Sequence, residues 1–175
     1  MNILVTGAPG SGKTFLVNYA RKNGQQIFID TDDVEGLCEW RKYKTGELVG
    51  PVETVSPTGG ETWYKTSGWY WNEHKLKELI DKPGDCAVCG SADNIMDFYP
   101  LFDKIVLLYK NTDDLISNLM QPGREQPNGR DPAHHARLLK WQEHLLETSQ
   151  KYHPVIIVDN NIGTIFEKIS RLFRD

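Results

Sequence analysis

Cysteine is scarce in the 175-residue chain, and the little there is does not assemble into a site. Of the three cysteines, Cys38 has no second cysteine or closely spaced histidine to complete a metal site. Cys86 and Cys89 have C-x-x-C spacing but bound the apolar run Cys-Ala-Val-Cys, which reads as a strand. Residues three apart on a strand face opposite sides, which argues against a redox or zinc role and for packing. An excess of positive charge is also missing: 20 Lys and Arg stand against 24 Asp and Glu, a net charge of −4. A general binder of nucleic acid or of an anionic membrane surface needs the opposite sign, so neither is an expected partner. No apolar run approaches the roughly 20 residues needed to span a bilayer. The first apolar strand begins at residue 2 with no charged leader before it, and with so few cysteines the expected compartment is the cytoplasm. Repeats and low-complexity segments are absent, and the length suits one domain over residues 1–175.

Glycine and proline are present in concentrated form where the hydrophobic pattern breaks. The stretch NILVTGAPGSGKTFLV opens with a short apolar run at Ile3, Leu4 and Val5, and helical spacing resumes at Phe15, Leu16, Tyr19 and Ala20. Between them Gly7-Ala8-Pro9-Gly10-Ser11-Gly12-Lys13-Thr14 matches G-x-x-x-x-G-K-[ST]. A loop of this kind, set between a strand and a helix, lets several backbone N–H groups converge on phosphate oxygens. Lys13 then meets the β- and γ-phosphates, and the Thr14 hydroxyl is placed to ligate Mg²⁺. ATP and Mg²⁺ are the expected cofactors.

Four more short apolar runs, at 26–29, 86–89, 104–109 and 155–158, alternate with helical or turn-rich sequence. That alternation predicts an α/β fold with a parallel sheet. Helices are predicted after Asn72, after Thr112, and after Asp131-Pro132 as far as residue 150, with a closing helix over 162–173. Two regions interrupt the alternation. Residues 41–71 are rich in glycine and proline and end in Trp63, Tyr64, Trp69, Tyr70 and Trp71, and residues 121–132 read QPGREQPNGRDP. Long irregular connections in an α/β domain are disproportionately functional.

Asp30, Asp32 and Asp33 follow the second run, where the carboxyl ends of a parallel sheet line the ligand crevice. They suit a division of work between Mg²⁺ and an acceptor hydroxyl. The alternative is capping of a helix over 34–40, for which Asp33 is the better placed. Gly90-Ser91-Ala92 after the third run admits close approach of a γ-phosphate, or is simply a tight turn into the next helix. Trp63, Trp69 and Trp71 offer flat faces to a planar acceptor, or form a satellite core beneath a long loop. Arg41 is either an anchor for an anionic acceptor or a solvated residue.

In this order, the phosphate loop, the Asp30-Thr31-Asp32 turn, the small-residue turn at Gly90 and an arginine-bearing loop before a long helix make the chain similar to the shikimate-kinase and nucleoside-monophosphate-kinase group of P-loop proteins. The resemblance covers nearly the whole chain. It implies a three-layer P-loop NTPase fold whose five-stranded parallel sheet has the order 2-3-1-4-5. It also implies an acceptor-binding insertion at 41–71 and a lid at 121–132. Carried over by position, Asp30 is the metal-side carboxylate, Asp32 the acceptor-side one, and Arg124 and Arg130 are lid arginines. Where shikimate kinases have three glycines after the third strand, this chain has Gly90-Ser91-Ala92, and its acceptor region is enlarged and tryptophan-rich.

The expected activity is therefore Mg²⁺-assisted phosphoryl transfer from ATP to a small planar acceptor. Gly7, Pro9, Gly10, Ser11, Gly12, Lys13, Thr14 and Arg137 are expected at the nucleotide, and Thr14 and Asp30 at the metal. Asp32, Arg41 and Gly90 are expected at the acceptor, and Lys13, Asp32, Arg124 and Arg130 in catalysis. The alternative is a nucleotide-binding regulatory NTPase without an acceptor pocket.

Overall fold

A computed structural model describes residues 1–49, 66–122, 129 and 131–174. Arg124, five other residues of the expected lid, Arg130, and Trp63 and Tyr64 of the insertion lie outside the described residues. Five short segments of near-continuous apolar character become strands because both of their faces can be buried. These are β1 (Asn2–Thr6), β2 (Phe28–Asp30), β5 (Cys86–Cys89), β6 (Lys104–Leu108) and β7 (Val155–Ile157). They pair in parallel in the order β2-β5-β1-β6-β7, which counted along the chain among themselves is the expected 2-3-1-4-5. Leu4 of β1 stands beside Val88 on one side and Ile105 on the other.

Alternation along these strands feeds two cores. Ile3, Val5, Ala87, Val106 and Leu108 pack with Leu16 and Val17 of α1 (Lys13–Lys22) and with Ile165 and Ile169 of α6 (Ile162–Leu172). Leu4, Val88 and Leu107 face the other way. They share a core with Leu76 and Ile80 of α2 (Glu73–Ile80), Phe98 of α3 (Ile95–Phe98) and Leu145 of α5 (His135–Ser149). Cys86 belongs to one core and Cys89 to the other, both buried and free, as the strand reading of C-x-x-C requires. The edge strand β7 leaves Val155 and Ile156 partly exposed. Among the described residues no helix is long and apolar enough to cross a membrane.

Side-chain caps start most of the longer helices. Asn72 accepts from the Lys75 N–H at 3.2 Å, and Asn161 accepts from Thr164 at 3.0 Å. The helix α4 (Thr112–Leu119) is capped by Asn111, which accepts from Asp114 at 2.9 Å, one residue before the expected Thr112. By contrast α1 begins at Gly12 with no side-chain cap, so its first-turn N–H groups are left for another acceptor.

The expectation of a helix over 34–40 fails. A single 3₁₀ turn at Thr31–Asp33 is followed by Gly36 in the left-handed region (φ 73°), and the chain then enters β3 (Cys38–Lys42). This strand pairs antiparallel with β4 (Ser67–Trp71), making a second, two-stranded sheet from the end of the expected helix and the two ends of the 41–71 region expected to be irregular.

Candidate active site

Between β1 and α1 the backbone turns tightly, with the Ser11 N–H donating to the Ala8 carbonyl at 3.0 Å. Gly12 takes a left-handed conformation (φ 105°) with open space where a side chain would be. Gly7 is needed for a different reason: a Cβ there would lie 2.5 Å from the Leu108 carbonyl. The loop is held from below by α4, whose Asn118 donates to the Gly10 carbonyl at 2.9 Å, and by Leu115, Leu119 and Leu138 packed around Ala8. Pro9 and Gly10 are half-buried and Ser11 is buried. The Lys13 ammonium bends over this turn and donates to the carbonyls of Gly7 (2.7 Å) and Ala8 (3.1 Å).

At the end of β2, Asp30 is only 6% exposed. Its Oδ1 accepts the Asp32 N–H at 3.1 Å, so Asp30 caps the 3₁₀ turn, and Asp33 instead pairs with Arg21 at 2.8 Å. Burial pushes the Asp30 carboxyl above the ordinary range, with the Asp32 charge adding to it. The Asp32 N–H, a hydrogen bond from Thr14 and the charge of Lys13 pull it back down. Thr14, Lys13 and Asp30 are thus brought together, with the Asp32 side chain exposed at the mouth.

The hairpin closes the β2–β5 end of this crevice. Trp40 and Trp69, opposite each other in the ladder, have ring centroids 5.0 Å apart. The Cys38 thiol donates to the Thr31 carbonyl at 3.3 Å, and Trp71 stacks on Phe98. Trp71 and Thr31 meet over Gly90, where an added Cβ would lie 2.1 Å from the Thr31 hydroxyl and 2.7 Å from the indole. Gly90 is thus required by packing. The buried Thr31 hydroxyl and Trp71 indole N–H have no hydrogen-bond partner among the described residues. Burial lifts the Cys38 thiol to about 12, with the Asp32 charge adding to the shift.

Asp93, which the sequence also offers as a metal holder through water, and Asn94 hold the hairpin to the sheet. Asp93 Oδ2 accepts the Trp69 N–H at 2.9 Å and its own N–H donates to the Trp69 carbonyl at 2.7 Å. Asn94 uses its side-chain amide as a second peptide unit, accepting from the Trp71 N–H (2.9 Å) and donating to the Trp71 carbonyl (3.0 Å). Gly68 admits this approach, since a Cβ there would lie 2.1 Å from Asp93 Oδ2. Burial raises the Asp93 carboxyl, opposed by the Trp69 N–H, the Tyr43 hydroxyl and the charge of Arg137. Arg137 therefore acts on Asp93 and Tyr43, on the hairpin side of the crevice. Arg41 is turned into the hairpin, where Glu39 accepts from its Nε at 2.6 Å and the Gly46 carbonyl from its guanidinium at 2.9 Å. It lines an outer cleft with Tyr70, Glu73, His74 and Lys77. Only the preference for an Asx pair after a strand could have pointed to Asp93-Asn94, because their partners lie more than 20 residues away.

Scanned against family models the chain matches none, and no curated protein matches it. Solved structures do match. Deoxyadenosine kinase from M. mycoides, in a structure with bound dATP, is 15% identical over 100% of both chains with a TM-score of 0.56. Shikimate kinase from Acinetobacter baumannii, in complex with shikimate, is 17% identical over 98% of this chain and 92% of that one, with a TM-score of 0.59. Shikimate kinase from Bacteroides thetaiotaomicron is 21% identical over 100% of this chain and 99% of that one, with a TM-score of 0.51. With the phosphate loop, the parallel order 2-3-1-4-5 and full-length coverage by these structures, the chain has the fold of the small P-loop kinases of the shikimate and nucleoside-monophosphate kinase group.

Proposed function

We propose that the protein transfers the γ-phosphoryl group of ATP to a hydroxyl of a small planar acceptor such as a nucleoside or nucleotide, with Mg²⁺, in the cytoplasm. The observation that carries this reading is the meeting of Thr14 and the buried Asp30 beside Lys13 at an uncapped helix start. Two oxygen donors of this kind suit Mg²⁺, which takes one or two protein ligands and fills its octahedron with water and phosphate oxygens. Thr14 and Asp30 would hold the ion, which neutralises charge on the transferring group. The backbone of residues 7–14 and Lys13 bind the phosphates, and Asp32 orients or deprotonates the acceptor hydroxyl. Arg124 and Arg130, of the sequence stretch 121–132, are proposed to meet charge developing on the equatorial oxygens.

The acceptor reading is supported by the hairpin. Trp40 and Trp69 form a half-exposed aromatic pair, and base stacking on such rings is worth about 1–3 kcal/mol per base. The two kinds of kinase among the solved structures, acting on deoxyadenosine and on shikimate by name, fit a small hydroxyl-bearing acceptor. ATP turnover with Mg²⁺ is to be measured with and without a panel of nucleosides, nucleotides and hydroxylated ring acids. At least one planar acceptor is expected to raise ADP release well above the acceptor-free rate and to appear phosphorylated. Nucleotide hydrolysis indifferent to every acceptor would replace this reading with a regulatory NTPase.

A further inference from the structure

Lys110, two residues beyond β6, is a buried cation that phosphoryl transfer as described above does not use. It is 4% exposed, and lysine is almost never buried to that extent unless paired. Its ammonium donates to the Asp159 carbonyl and to Asn160 Oδ1 (2.7 Å), both in the turn that follows β7. Its backbone is gripped in turn by the buried Gln142 of α5, which accepts from the Lys110 N–H at 3.1 Å and donates to the Lys110 carbonyl at 2.8 Å. Asn160 also donates to Asp114 Oδ2 of α4 at 2.7 Å, and α4 is the helix whose Asn118 holds the Gly10 carbonyl. An unbroken set of contacts thus runs from the phosphate loop through α4 to the turn after β7, and through Lys110 to α5.

The topology says what this set surrounds. The phosphate loop leaves the central strand β1, and the hairpin closes the β2–β5 side of it. With the acceptor on that side, the nucleoside end of a bound ATP is left the carboxyl ends of β6 and β7, where residues 109–111 and 159–161 lie. A packing role alone would be served by methionine. A cation with two oriented acceptors fixes the turn in one conformation at the cost of desolvating a charge.

We infer that Lys110 is a positioning residue for the donor nucleoside, fixing through Asp159 and Asn160 the turn against which that nucleoside rests. The inference depends on the phosphoryl-transfer reading above. Its test compares ATP with inorganic tripolyphosphate, which has the phosphates and no nucleoside, by calorimetry on the whole protein with Mg²⁺. In Lys110→Met, tripolyphosphate affinity is expected to stay at the wild-type value while ATP affinity falls roughly tenfold or more. Asn160→Ala, at an exposed residue, is expected to move the same ratio in the same direction by less, and carries the test if Lys110→Met does not fold. Equal loss for both ligands would mean general loosening of the phosphate loop, and an unchanged ratio in folded variants would mean no positioning role. Either overturns the inference. A wild-type protein that binds neither ligand would overturn the phosphate-loop reading itself, and this inference with it.

Discussion

The two ends of the crevice are built in opposite ways. The phosphate end is eight consecutive residues, 7–14, whose working groups are mostly backbone N–H, and it is held by α4 and by Leu138 of α5 beneath it. The hairpin end draws on 38–42, 67–71 and 93–94, works through side chains, and is joined to the sheet by Asp93 and Asn94. A local backbone device is set by glycine spacing. A long-range side-chain device depends on pairs that only the finished fold brings together.

That contrast can be broken from either end. The largest effect is expected from Lys13→Ala, because a charge at the phosphates acts where charge develops. Turnover of ATP should fall by roughly 10²–10³ with the melting temperature nearly unchanged, and steady-state kinetics beside a thermal melt would check both. Next comes the aromatic platform. Trp40→Ala or Trp69→Ala should raise the acceptor KM about tenfold or more, in line with about 1–3 kcal/mol per stacked ring, and leave the KM for ATP in place. A fall in ATP affinity would show that the two ends are not independent.

Asp93→Ala should act more weakly in the same direction. It leaves the Trp69 N–H without its partner, a cost of about 1–3 kcal/mol spread between stability and acceptor binding. The readout is acceptor KM against kcat in a variant shown to be folded. The smallest effect concerns Asp30 and has the opposite sign for stability. Its pKa is raised in the fold, so the native state holds the proton to higher pH than the unfolded chain does. Stability therefore falls as pH rises from the ordinary carboxylate value through the folded one, and the full cost of the buried charge is present above the folded value. Asp30→Asn should raise the melting temperature at pH 7, by about 2–4 °C for each kcal/mol relieved, while lowering Mg²⁺-dependent turnover. A pH series of melts for both proteins would show the gap closing in acid.

Particular elements show what could be read beforehand. The five parallel strands were legible because burial on both faces makes them short and continuously apolar, and β5 was placed to the residue, at Cys86–Cys89. The phosphate loop was legible because its chemistry is local. The hairpin was not, since Cys38–Lys42 carries Glu, Trp, Arg and Lys with no turn to a neighbour, and its partner strand begins 25 residues after it ends. The cap at Asp30 was misassigned to Asp33 because a 3₁₀ turn and a helix start present the same run of acidic residues. Lys110 and Gln142 carry no sequence signal, because their partners are more than 30 residues away.

The placement of β1 at the centre of the sheet has a consequence for the chain as it is made. Thr6 lies beside Leu107, 101 residues later, so the strand that leads into the phosphate loop is synthesised long before its neighbour on that side exists. At about 5–20 residues per second the wait is roughly 5–20 s. The neighbour on the other side comes somewhat sooner, since Ile3 pairs with Ala87, 84 residues later, so Ile3, Leu4 and Val5 have no ladder to join until β5 has been made.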